Sequence, residues 1–235
     1  MGSWSEQDIS SDVQQAKWLD ESAGPSRRHT LSDLLPTVFE SYVRVLYPAE
    51  REISTSRSEP VRWADAARAA GGVAHANMQW RSLTDSTPPS RQTWTYGPPR
   101  IKDVTDDLIT SLSDVLASHT EEPDLCWFAI WEGNTVIADL TSNRPLISVA
   151  GLNYLLLRGS IHRASQSLRE LRPHLWWPAD HSWCVATHFD FDSAYIGCSQ
   201  AACDDLITNQ LLECWEVSPT ADITVHGDHL NQTIR

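Results

Sequence analysis

His188, Asp190 and Asp192 fall at alternate positions of Thr187-His-Phe-Asp-Phe-Asp192. An imidazole with two carboxylates is a donor set able to hold a hard divalent cation or to share acid and base work in a hydrolysis. Read as one strand from Trp183 to Asp192, the segment puts these three on the face that carries Cys184 and Ala186, successive members about 6.5 to 7 Å apart. Trp183, Val185, Thr187, Phe189 and Phe191 point the other way. A metal would need a local bend to draw the three together, and a strand whose outer face reaches water gives the same alternation with no ligand role. His226-Gly-Asp228-His229 would join the set if the C-terminal residues fold back over the sheet.

Other reactive types are less promising. Cys184 and His188 share a face but lie about 13 Å apart along an extended strand, too far for a nucleophile and its base. Cys203 and Cys214 run in phase with Leu206, Ile207 and Leu211 on a helix and read as packing. Gly197-Cys-Ser199 sits at a strand-to-helix turn, where free amides could hold an anion. It lacks both the nucleophile-elbow pattern and the glycines of a phosphate loop, and Ser199 reads as an N-cap. His181, after Asp180, reads as a turn residue. The five cysteines are odd in number and form no CxxC pair, which argues against a disulfide framework and against a zinc ribbon.

Tryptophan is the compositional anomaly, with 11 in the chain. Trp127, Trp131, Trp176, Trp177, Trp183 and Trp215 fall in the C-terminal half, and Trp176-Trp-Pro178 reads as a loop, which would bring at least one ring to the surface. Trp176, Trp177 and Tyr195 are therefore the candidate partner-binding residues, because large rings anchor interfaces at little rotamer cost. Rings that plug the end of a sheet against the last helix are the plainer alternative.

Lys+Arg of 18 against Asp+Glu of 31 gives a net charge of -13, which repels nucleic acid and anionic lipid and favours a basic protein partner. No apolar run approaches the ~20 residues of a membrane span. The first 26 residues lack the basic start and apolar stretch of a secretory signal, so a cytoplasmic protein is expected. The sequence thus favours an acidic intracellular protein-interaction module that neutralises a basic partner, with no catalytic residue and no cofactor. The alternative is a hydrolase-like enzyme with a divalent metal on His188, Asp190 and Asp192.

The elements expected to position these residues form an α+β fold, a helical N-terminal part followed by a mixed or mainly antiparallel sheet with packed helices. Residues 1–30 read as a disordered tail, 31–217 as a single domain, and 218–235 as a C-terminal tail with one short strand at Ile223 to Val225. Within the domain, Val38, Phe39, Tyr42, Val43 and Leu46 recur at helical spacing. A second helix runs from Val61 to Ala70 and stops at Gly71-Gly72. Thr84 to Arg100, with four prolines, is a long loop, and Asp103 opens a third helix striped by Val104, Leu108, Leu112, Val115 and Leu116. Cys126 to Trp131 is a strand that turns at Gly133-Asn134 into Val136 to Ala138. Leu152 to Leu157 is a strand, Ile161 to Leu171 a helix, Ala194 to Gly197 a strand, and Ser199 caps a helix reaching about Trp215.

The segment from Trp176 to Gly197, of the pattern WPxDxxWCVATxxDxxxxYxG, resembles a group of actinobacterial proteins of no assigned reaction. Leu35 to Pro48, Val61 to Asp65 and Cys126 to Trp131 extend the likeness over most of Leu31 to Trp215. The resemblance implies one continuous domain and carries over no catalytic residue, cofactor or partner.

Overall fold

The computed structural model describes residues 2–21, 29–85, 104–188 and 190–231. Its spine is an eight-stranded antiparallel sheet in the order β10-β1-β9-β8-β7-β4-β6-β5, beside a two-stranded hairpin β2-β3. The strands are β1 (Ser41–Leu46), β2 (Ala49–Ser54), β3 (Arg57–Val61), β4 (Cys126–Trp131), β5 (Ile147–Val149), β6 (Leu152–Gly159), β7 (Leu175–Pro178), β8 (Cys184–Ala186), β9 (Ser193–Cys198) and β10 (Cys214–Glu216). The helices among the described residues are α1 (Lys17–Glu21), α2 (Trp63–Ala70), α3 (Trp80–Asp85), α4 (Asp106–Ala117), α5 (Ala138–Thr141) and α6 (Gln200–Thr208). The fold is α+β.

The helix expected from the spacing of Val38, Phe39, Tyr42, Val43 and Leu46 does not form: the chain makes a 3-10 turn at Leu31–Asp33 and then β1, the second strand of the sheet. β1 is buried at all six positions, and a strand covered on both faces is a continuous apolar run that helical periodicity fits equally well. Val43 and Val45 face the α4 and α6 side, while Tyr42 faces the other. Alternation of this kind divides the core into two layers. One joins Val43, Phe128, Leu155, Trp176, Trp183 and Ile196 to α4 and α6; the other joins Tyr42, Trp127, Leu156, Trp177, Cys184 and Tyr195 to the 3-10 turn and α1 at 13–19 and to the segments 31–39 and 217–223.

Several expected elements hold. α2 ends at Gly71, whose φ of 75° is a left-handed C-cap that glycine adopts without strain. α4 starts at Asp106 and is capped by Thr105, not opened at Asp103; the Thr105 hydroxyl accepts from the Leu108 N–H at 3.3 Å. α6 is capped by Ser199 as expected, accepting from the Ala202 N–H at 3.3 Å, but it ends at Thr208 and not near Trp215; Cys214 and Trp215 lie on β10, so Cys203 and Cys214 do not share a helix. β4, β6 and β9 lie where expected. Asp103 and nearly all of the proline-rich loop lie outside the described residues.

Others are corrected. Val136 to Ala138 is not a returning strand but a 3-10 turn running into α5, and β4 pairs with β6 and β7 instead. Ile161 to Leu171 holds only a 3-10 turn at Ile161–Arg163, since the polar Ser165, Gln166 and Ser167 leave it no sustained apolar stripe. Residues 2–21 are not a loose tail: Trp4, Ala16 and Leu19 are buried. At the other end the described residues carry no strand at Ile223 to Val225, but Ala221 and Asp228 are buried and Thr30 bridges to Asp222.

Candidate functional site

β8 ends at Ala186, and the chain then turns rather than continuing to Asp192. His188, Asp190 and Asp192 therefore do not share a straight strand face. The Asp190 N–H donates to His188 Nδ1 at 3.3 Å, and the Asp190 carboxylate lies 3.8 Å from the same nitrogen, with 62% of its side chain exposed. Burial holds the His188 imidazole below its ordinary pKa, against the opposing pull of Asp190. Among the described residues no three of His, Cys, Asp and Glu come together in a group that could hold a metal ion.

Asp192 is engaged elsewhere. Its carboxylate accepts from Arg44 at 3.1 Å, and Arg44, central in β1 and 1% exposed, is the residue that organises this corner. Its guanidinium donates to the Ser193 hydroxyl at 2.9 Å and to the carbonyls of Ala76 at 3.1 Å and Met78 at 2.7 Å. It lies 5.4 Å from the Trp63 ring and 5.7 Å from the Tyr195 ring. A buried cation needs this complement of acceptors to offset lost hydration. The Tyr47 N–H donates to the Asp192 carbonyl at 3.1 Å, and its hydroxyl lies 2.8 Å from that of Thr187. Asp192 is thus a counter-ion of the core.

His174 is a second buried polar residue that its sequence setting does not single out. It is 3% exposed, and Nδ1 accepts from the Trp131 N–H at 3.2 Å, so the neutral ring carries its proton on Nε2. Burial, aided by the nearby His188, presses its pKa down to about 4. The backbone of His174 links two neighbouring strands, its N–H donating to Ala129 and its carbonyl accepting from Thr187, both at 2.7 Å.

The candidate partner-binding rings are interior. Trp176-Trp-Pro178 forms β7 rather than a loop; Trp176 is 4%, Trp177 0% and Tyr195 4% exposed. Trp176 stacks on Phe128 at 6.1 Å and meets Trp183 edge-on at 5.4 Å, while Trp177 registers against Trp127 of β4. The indole N–H groups of Trp127 and Trp177 are buried without a hydrogen-bond partner, so these rings serve as apolar filling and offer a docked protein no surface. Asp228 is fully enclosed, accepting from Gln79, Leu230 and Asn231 amides and pairing with His75 Nε2 at 3.0 Å. His226 and His229 are exposed.

What does face solvent is charge. α4 and α6 lie side by side on one face of the sheet, and their outer positions include Asp107, Asp114, Asp204 and Asp205, with Glu121, Glu122 and Asp124 exposed just beyond α4. No Lys or Arg occurs from residue 104 to 143 or from 173 to 234. Within this face Asp205 pairs with His119 at 2.8 Å, and Ile207 and Leu211 expose 42% and 75% of their area. The signal is present in the sequence as two long stretches without a basic residue. Net charge alone does not place them together. Comparison of the chain with protein-family models, with curated proteins and with solved structures finds no match. No helix among the described residues is long and apolar enough to cross a membrane.

Proposed function

We propose that this chain is a non-catalytic protein-interaction module that offers the acidic face of α4 and α6 to a basic protein partner. The observation that carries the reading is that these helices and the loop after α4 bring seven carboxylates outward, at Asp107, Asp114, Glu121, Glu122, Asp124, Asp204 and Asp205, and carry no Lys or Arg of their own; Arg172 meets the face only at its edge, paired with Asp106 at 2.6 Å. A field of one sign steers a partner of the opposite sign and fixes its approach. Ile207 and Leu211, both exposed, supply apolar area beside it. Five unpaired thiols, four of them buried, suit a reducing compartment, and we place the chain in the cytoplasm.

The test is capture of partners from native extract by the immobilised chain, at low and at high salt, against a variant carrying Asp107→Asn, Asp114→Asn, Asp204→Asn and Asp205→Asn. All four side chains are exposed, so the variant is expected to fold. Basic proteins held by the wild type at low salt, released at high salt and missed by the variant are the expected result. Equal capture by both chains would refute the reading.

A further inference from the structure

Beyond the N-terminal end of α6, the chain that leads into β1 and the chain that leaves β10 wall an open cleft of about 470 Å³, a volume within the range of ligand sites. Glu40 belongs to the first wall and Glu216 to the second, both exposed, and among the described residues no Lys or Arg lines the space. Between the carboxylates the cleft has an aromatic side chain, Phe39, half-buried and set edge-on to Trp18 and to Tyr42, each at 6.1 Å. The ring lies where it does because Gly197 of β9 has no side chain; a Cβ there would collide with it.

The first wall is fixed from within. The Tyr42 hydroxyl donates to the Pro36 carbonyl at 2.6 Å and accepts from the Phe39 N–H at 3.3 Å, which closes the turn that carries the ring. Glu40 accepts from the Gln200 N–H at 3.0 Å, at the first turn of α6. The second wall continues an open edge, since β10 is the last strand of the sheet. The Leu46 N–H donates to Glu213 and the Val217 N–H to Tyr42, both at 2.9 Å. In an antiparallel ladder this register gives residues 213, 215 and 217 to β1 and turns the backbone N–H and C=O of Cys214 and Glu216 outward. Such an edge is a template for an extended segment of another chain.

We infer that the cleft seats an arginine side chain carried by an extended segment of a partner protein, whose backbone adds to the edge of β10 at Glu216. Charge selects the occupant: two carboxylates and no basic lining residue call for a cation. The aromatic ring favours a guanidinium over an ammonium, because a planar fork bonds carboxylates while its face lies on a ring. The outward backbone groups favour a peptide over a free amine, which has no strand to offer them. The site is apart from the outer positions of α4 and α6, so it does not rest on the acidic face and either proposal can fail without the other.

The experiment follows backbone amide shifts of the full-length chain by NMR during titration with three probes. They are the peptide acetyl-Thr-Val-Arg-Val-Thr-amide, the same peptide with citrulline, an uncharged isostere, in place of arginine, and N-acetyl-arginine amide alone. The expected shifts are confined to residues 37–42 and 214–219, and the arginine peptide binds about tenfold more tightly than either of the other probes. Glu216→Gln, and Glu40→Gln, which keeps an acceptor for the Gln200 N–H, should each weaken the arginine peptide by about fivefold. Shifts centred on α4 and α6, or none at millimolar peptide, overturn the proposal. Equal affinity for the arginine and citrulline peptides overturns it as well, and this comparison needs no variant to fold. Arginine amide binding as tightly as the peptide also overturns it, since the cleft would then serve a small guanidinium compound and not a strand.

Discussion

At the scale of single residues, the two side chains that shape the interior most, Arg44 and His174, are of polar types placed where apolar ones are the rule. His174 carries a pH signature. In the unfolded chain its imidazole titrates near 6.5, whereas in the fold burial holds it at about 4. Between these values the unfolded chain binds a proton that the folded chain refuses, so stability falls as pH drops from 6.5 toward 4 and this contribution levels off below. The window corresponds to a loss of roughly 3 kcal/mol at its lower end. His174→Asn keeps an acceptor for the Trp131 N–H and removes the titration, and urea unfolding from pH 7 to 4 should show a shallower decline by about one proton. Parallel curves for the two chains would refute the assignment. Neither residue announces itself in sequence. Arg44 interrupts Tyr42-Val-Arg-Val-Leu46, and an Arg in an amphipathic pattern is most simply read as the solvent side of a helix. Only the acceptors brought by residues 76–78 and 192–193 make its burial tolerable, and these are remote in the chain.

At the scale of elements, legibility depends on whether an element carries its own signal. Ser199 as a cap, Gly71 as a stop and the stripe of α4 are local, and α2 and α4 lie within a few residues of expectation, whereas α6 stops at Thr208, seven residues short of Trp215, because the chain turns there into β10. β1 and β7 carry none, because burial on both faces erases the two-residue alternation. The tryptophan pair reads as exposed for the same reason: with no polar partner in alternation, Pro178 is the only local cue, and proline is tolerated at a strand's end. The β5-β6 hairpin offers a test of local chemistry. Its turn places Ala150 at φ 52° and Gly151 at φ 79°, the pair of left-handed residues typical of a type I′ turn, for which Asn-Gly is the favoured pair. A left-handed Ala carries a cost that Asn lessens. Ala150→Asn should therefore stabilise the chain by about 0.5 to 1 kcal/mol, read as a rise of roughly 1 to 4 °C in Tm. A lower Tm would show that the turn is strained for another reason.

At the scale of the molecule, Arg44 ties together three parts of the chain, the β1 spine, the 76–78 loop and the turn into β9. Asp192→Ala would leave an enclosed guanidinium with dipoles but no counter-charge, and should cost about 3 kcal/mol in urea unfolding. A loss below about 1 kcal/mol would mean that the carbonyls and Ser193 suffice. The same strand also has a history during synthesis. β1 lies between β9 and β10, and Ser193 follows Arg44 by 149 residues, so at the ~5–20 residues per second of translation its neighbours arrive roughly 7 to 30 s later. For that interval a segment suited to burial on both sides is without its sheet partners, and a positive charge at its centre is what discourages pairing with the wrong edge. The guanidinium is a gatekeeper of the nascent chain before it becomes the clasp of the finished one.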